Sequence, residues 1–181
     1  MVSHAITPRA AGESARLAHT ATAVDAVRRV LRAMRIAERE TLATSGLSAA
    51  QLFVLSSLVD GEDASLSELA DRTLTDRSSV TAVVDRLLER RLVQRRVAAG
   101  DRRRAAIRLT TAGRVVLRDA PAAPTTMLLA GLGRMSAARL ARLADGLVAL
   151  THAMDVAVEP PGMLFDDGTT RAPAARRHRS A

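Results

Sequence analysis

The segment Val93–Arg114, "VQRRVAAGDRRRAAIRLTTAGR", sets seven arginines and one acid, Asp101, into a stretch whose apolar residues alternate. Val93, Arg95 and Val97 alternate with Gln94 and Arg96, and Ala105, Ile107 and Leu109 alternate with Arg104, Ala106 and Arg108. Each arm therefore has the two-residue period of a half-buried strand, and "AAGDRR" between them is the tip of a hairpin. From Arg86 to Arg108 nine arginines stand against Glu89 and Asp101, a local charge of +7 out of a formal +8 for the whole chain. An excess confined to one short segment marks a docking surface. Like charges so crowded repel one another until a counter-charge arrives, and a polyanion is the partner that supplies it.

Upstream, "TDRSSVTAVVDRLLERR" reads as a helix capped by Thr75 or Asp76, with Val80, Val83, Val84, Leu87 and Leu88 forming the inward stripe. The outer face is left to Arg77, Ser78, Ser79, Thr81, Ala82, Asp85 and Arg86. Small hydroxyl residues and an arginine on the N-terminal outer face, after a short helix and a tight turn, have the shape of a helix-turn-helix recognition element. A basic hairpin directly after such a helix is a wing. Its cations would meet phosphates or the negative potential of a narrow minor groove beside the helix.

By periodicity the rest of the chain is helical, giving six helical stretches and one hairpin in all. Leu17, Ala21, Val24, Val27, Leu31 and Met34 recur at spacings of three and four, the stripe of a long helix running to about Thr44. Ser48 with Gln51, and Ser65 with Glu68, have the spacing of capping boxes. The first opens "LSAAQLFVLSSLVDG", with Leu52, Leu55 and Leu58 on one face and Gly61 as its stop; the second opens a short helix with Leu66, Leu69 and Ala70 inward. Thr110 or Thr111 caps a fifth helix, in which Pro121 and Pro124 impose a break or sharp kink, since proline removes a hydrogen bond and disfavours helix before it. Ser136 caps a sixth, striped by Leu140, Leu143, Leu147, Leu150 and Met154. Residues 1–14 and 160–181 read as flexible tails, although "PGMLFDD" is an isolated apolar patch suited to docking on a dimer.

Composition narrows the classes further. The 181 residues hold two Phe and no Trp or Tyr, so Leu, Val and Ala must fill the core, a mixture that favours helices. The absence of Cys excludes disulfides, thiolate metal sites and thiol redox switches. No apolar run reaches the ~18 residues of a membrane span, and the chain reads as cytoplasmic with no membrane partner. Every one of the 27 basic residues is Arg, a compositional bias that weakens any inference from arginine at a single position. The four histidines, at 4, 19, 152 and 178, have no metal-ligand spacing, and "GLGRM" lacks the preceding strand of a nucleotide loop. Neither an enzyme nor a metal or cofactor site is expected.

The consecutive stretches "SELADRTLTDRSSVTAVVDRLLERRLVQRR" and "GDRRRAAIRLTTAGR" resemble the winged helix-turn-helix of the MarR family of bacterial transcriptional regulators, with "VDRL", "LV", "DRR" and "LTTAG" at the family's spacings from Ser65 to Arg114. The resemblance implies a mainly α fold with a small β wing: a DNA-binding domain over 45–109, embedded between long dimerisation helices over 15–44 and 110–158. It implies an obligate homodimer presenting two recognition helices to successive major grooves. It also implies that Asp101 holds Arg103 ready for the minor groove, with Arg102 and Arg104 flanking. Two departures stand out. Arg91 occupies a position where the family usually has the glycine suited to a left-handed cap, and Ala82 stands where an arginine is common.

The expected function is a sequence-specific regulator, a repressor, that binds a pseudo-palindromic operator in double-stranded DNA and is released by a small ligand. Arg77, Ser78, Ser79, Thr81 and Arg86 are its candidate reading residues. The alternative is an architectural protein that binds DNA without sequence choice. For the ligand, a crevice where helices 1 and 5 meet the winged domain is expected, with Arg32, Arg35 and Arg39 favouring an anionic, aromatic compound.

Overall fold

The computed structural model describes residues 8–58, 61–98, 101–156 and 162–165, leaving out the side chains of 8–11, 97–98 and 101–105. The chain divides after Ile36 into two units. The first holds most of helix α1, Pro8–Ser45, whose stripe residues Leu17, Val24, Val27 and Leu31 are exposed along their whole run. Gly46, at a φ of +64°, ends the helix in the left-handed region.

The second unit is built around α2, Ala49–Ser56. Ser48 and Gln51 close the expected capping box, and every residue from Ala49 to Leu55 is buried, not one face alone. A helix buried all round must be surrounded. α3 (Leu66–Thr73), α4 (Arg77–Glu89), α5 (Thr111–Asp119) and α6 (Pro124–Gly133) all pack on it. The expected inward residues Leu69, Ala70, Val80, Val83, Val84 and Leu87 form one core with Leu52, Phe53 and Leu55, while Leu66 and Leu88 pack at its edge.

Strands β1 (Val93–Ala98) and β2 (Asp101–Leu109) pair antiparallel, Val93 opposite Leu109 and Val97 opposite Ala105, with an irregularity between Val97 and Ala98. Ala64 adds a bridge to Ile107 through two backbone hydrogen bonds of 2.9 and 2.7 Å. Ile107 and Leu109 are buried as their period requires, but Ala106, expected on the solvated side, is buried as well. It is small, and the Ala64 segment covers that edge of the strand.

Seven helices stand among the described residues, because the prolines split the fifth stretch into α5 and α6. Pro124 takes the first turn of α6, where a missing N–H costs nothing. α7, Ala137–Ala153, has no buried residue: Leu140, Leu143, Leu147 and Leu150 are all exposed. No helix among the described residues is long and apolar enough to cross a membrane. The patch expected to dock on a dimer is seated, over residues 162–165, within this unit, where Met163 packs against the winged-domain core. Of the segment read as an N-terminal tail, residues 8–14 instead form the first turns of α1, whereas residues 1–7, 160, 161 and 166–181 lie outside the described residues.

The end of α4 shows how the missing glycine is managed. Arg91 takes the left-handed conformation itself, at a φ of +58°. Its N–H donates to the Leu88 carbonyl (2.9 Å) and that of Leu92 to Leu87 (3.0 Å), the paired bonds of a Schellman turn. The Leu92 carbonyl then accepts the Thr110 N–H (3.1 Å), so the turn also holds the start of α5. Gly113 completes the junction, since a Cβ there would lie 2.1 Å from the Leu92 oxygen.

Substitutions on the two sides of Leu92 should therefore have opposite signs in urea unfolding. Arg91→Gly relieves left-handed strain and should raise stability by about 1 kcal/mol, whereas Gly113→Ala forces backbone apart and should lower it by about 3 kcal/mol. Equal stability of both variants with the parent would contradict the junction.

A second test concerns Asp76, the N-cap of α4. Hydrogen bonds from the Ser78 and Ser79 side chains lower its pKa from 3.8 to about 2. A carboxyl depressed by folding stabilises the fold above its ordinary pKa and loses that contribution as pH falls through the lowered value. Asp76→Ala should cost about 1 kcal/mol at neutral pH, and the gap from the parent should narrow from about pH 4 down to about pH 2. A gap that stays constant over that range would refute the assignment.

Candidate nucleic-acid interface

At about 100° per residue, the core residues Val80, Val83, Val84 and Leu87 define one side of α4, and Ser78, Ala82, Asp85 and Glu89 run along the opposite line. Arg77 and Thr81 lie on one flank of that line, Ser79 and Arg86 on the other. Arg77, Ser78, Thr81, Ala82 and Asp85 together line a shallow hollow in the surface. Ala82, the smallest side chain of the five, lines it beside Ser78 and Asp85. Ser79, Thr81 and Arg86 are half-buried, and Arg86 already engages another group of the protein.

Asp76 does more than cap the helix. Its carboxylate accepts the backbone N–H groups of Ser78 and Ser79 (2.9 and 3.0 Å), and both seryl hydroxyls donate to it as well, that of Ser79 at 2.6 Å. The Thr81 hydroxyl donates to the Arg77 carbonyl (2.7 Å). Each of these hydroxyls has one proton, and each proton is committed inside the helix. What Ser78 and Thr81 present outward is lone pairs alone. In a major groove such acceptors match the amino groups of adenine N6 and cytosine N4. The sequence pattern "TDRSS" offered Asp76 only as a cap; its hold on the hydroxyl protons comes from the geometry of the first turn.

Asp85 was read on the outer face but not among the site residues. It bonds Arg95 of β1 at 2.7 Å, which ties the helix to the wing. Both side chains are about half exposed, so the pair contributes under about 1 kcal/mol and can exchange partners at little cost. The dense arginine segment is thus not a single free surface. Arg90 donates to the Gly46 carbonyl (2.6 Å), and Arg108 pairs with Asp63 (2.6 Å), bracing the domain from within. Arg77 on α4 and Arg96 on β1 are exposed.

The backbone of Asp101, Arg102, Arg103 and Arg104 runs in β2, and their side chains lie outside the described residues, as do residues 99 and 100 of the tip. Arg32, Arg35 and Arg39 are exposed on α1, and Arg35 and Arg39 each engage another group. Among the described residues no three His, Asp or Glu side chains gather to hold a metal ion.

Residues 45–104 match the sequence model of the MarR family. The HTH-type transcriptional repressor MdtR of Bacillus subtilis (strain 168) is 35% identical over 80 residues, which is 44% of this chain and 52% of that protein. The chain thus spans about half the length of this curated relative. Two solved structures have the same fold. A MepR-like protein complexed with pseudoligands is 21% identical, with a TM-score of 0.51, over 75% of this chain and 96% of its own. A MarR-family transcription regulator is likewise 21% identical, with a TM-score of 0.52, over 80% and 95%. The capped helix α4 and the two-stranded wing tied to it thus lie in a segment, residues 45–104, that is similar to the MarR family, on a fold shared with solved structures of that kind.

Proposed function

We propose that this regulator is a cytoplasmic homodimeric repressor that reads a pseudo-palindromic operator with α4 and clamps it with the wing. The observation that carries the dimer is the set of uncovered apolar stripes, Leu17, Val24, Val27 and Leu31 on α1 and Leu140, Leu143, Leu147 and Leu150 on α7. Apolar surface arrayed on helices in this way is stable in water when a second copy covers it. Residues 15–44 and 110–158 supply that region in this reading, and 45–109 the DNA-binding domain. Repression is the role named for the B. subtilis relative, whose match lies over part of this chain.

Within the complex, Arg77, Ser78, Ser79, Thr81 and Arg86 face the major groove, and the wing residues Asp101, Arg102, Arg103 and Arg104 approach the neighbouring minor groove and backbone. A small anionic or aromatic ligand relieves repression, with Arg32, Arg35 and Arg39 as its candidate anchors. The MepR-like structure, which was complexed with pseudoligands, supports a ligand partner in principle. Binding of DNA and of an effector, without turnover, is the activity proposed.

Selection of bound fragments followed by footprinting tests the operator. The expected site has two inverted half-sites about one helical turn, roughly 10 base pairs, apart, preferred over random DNA by ~1,000-fold or more. An asymmetric site filled by a monomer would remove the dimeric reading. Equal affinity for every duplex would establish the architectural alternative.

Wing and helix should separate by mutation. Arg103→Ala should weaken binding to all sequences alike and lower the slope of log affinity against log salt by about one unit. Ser78→Ala and Thr81→Ala should instead change which bases are preferred, with the loss concentrated at positions carrying adenine or cytosine amino groups. The division of roles fails if both kinds of variant reduce specific and random binding by the same factor.

A further inference from the structure

Asp85 is the acid among the described residues that line the hollow of α4, where it stands with Arg77, Ser78, Thr81 and Ala82. It lies opposite the core side of the helix, on the line that begins at Ser78. Its Oδ1 accepts from the Arg95 guanidinium of β1 at 2.7 Å, and among the described residues its Oδ2 has no hydrogen bond. Both side chains are about half exposed. A carboxylate on this face is repelled by phosphate, and an exposed ion pair to the wing returns little stability in exchange. Its place on the reading face therefore asks for a partner on the DNA.

The chemistry of the hollow restricts that partner. Ser78 and Thr81 give their hydroxyl protons to Asp76 and to the Arg77 carbonyl, so they present acceptors outward, and a carboxylate beside them has no proton to give at all. It can pair only with a base edge that donates. Two amino groups donate in the major groove, adenine N6 and cytosine N4. Adenine N6 stands between two acceptors, its own N7 and the O4 of thymine across the pair, whereas cytosine N4 has an acceptor, guanine O6, on one side only. An anion is repelled by both neighbours of the first and by one neighbour of the second. Cytosine is the better match. Asp85 also lies seven residues beyond Ser78, about 10 Å along the helix, so the two side chains address different base pairs.

We propose that Asp85 is a specificity-determining residue, whose carboxylate accepts from N4 of one cytosine in each half-site, and that Arg95 is its positioning residue. The inference rests on the DNA-binding reading above and adds a base to it. Arg95 holds one carboxylate oxygen from the wing side, which leaves the other for the base and offsets the acid's charge against the phosphates. The carboxylate contributes discrimination more than affinity, because every phosphate near it opposes binding.

The test starts from fragments selected by the full parent chain. Duplexes in which each base pair of the selected site is changed in turn are titrated by fluorescence anisotropy with the parent, Asp85→Ala, Asp85→Asn and Arg95→Gln, and thermal melting confirms that each variant folds. The parent should lose about tenfold or more in affinity when one particular cytosine is replaced by any other base. With Asp85→Ala the four bases at that position should bind within about twofold of one another, while the preferences at all other positions remain. Asp85→Asn keeps the shape of the side chain and gains a donor, so its preference at the same position should move to adenine, which offers N7 and N6 together. Arg95→Gln should narrow the cytosine preference at that position by about half or more. A uniform loss of affinity on every duplex with the Asp85 variants would overturn the inference and make the residue a brace for the wing. An Asp85→Asn variant that still prefers cytosine would overturn it too. An unchanged cytosine preference in Arg95→Gln would overturn the positioning role. A parent chain that binds no duplex, or all duplexes alike, would instead remove the sequence-reading function itself, and the role of Asp85 with it.

Discussion

The carbonyl and N–H of Leu92 hold the recognition helix, the wing and α5 in one geometry. The N–H closes the turn that ends α4, and the carbonyl receives Thr110 at the far end of the hairpin, directly before α5. The Thr110 hydroxyl lies 2.9 and 3.0 Å from the Arg91 and Leu92 carbonyls and accepts the Gly113 N–H, so it caps α5 and joins the two ends of the wing together. Everything that would touch DNA is measured from this point. A shift of the turn by one residue would put the opposite faces of both strands on the core.

Much of this was legible in sequence because it rests on local chemistry. Both capping boxes need only a Ser and, three residues on, a Gln or Glu, and both form. The prolines after Asp119 leave a helix little choice but to stop. Other features were hidden because they depend on distant neighbours. The stripe of Leu52, Leu55 and Leu58 gave no sign that α2 would be enclosed on every side, since four other helices do the enclosing. The left-handed turn at Leu74, φ +54°, carries no glycine to announce it. The site residues of α4 could be placed on a face from spacing alone, while the direction of their hydroxyl protons required the carboxylate of Asp76 in position.

Charge is the clearest case of a pattern that is right in sum and misleading in detail. Nine arginines between 86 and 108 read as one polyanion-binding surface. In the folded domain Arg90 and Arg108 hold the helix end and the wing base to the α1–α2 turn and the segment before α3, and Arg95 joins strand to helix. These arginines stiffen the scaffold that carries the others. Composition cannot separate the two roles, because guanidinium groups that brace a fold and those proposed to meet phosphate are the same residue in the same segment.

The interruption between α5 and α6 has a mechanical consequence. An unbroken helix is a stiff rod that carries rotation from end to end. Here the chain from Ala120 to Ala123 is non-helical, and Ala123 and Pro124 are buried in the core. A rotation or displacement of α6 is therefore delivered into the packing around α2, not along the backbone of α5 to the Leu92 junction. In such a lever the core itself, by the way its side chains rearrange, sets how much of any movement reaches the recognition helix.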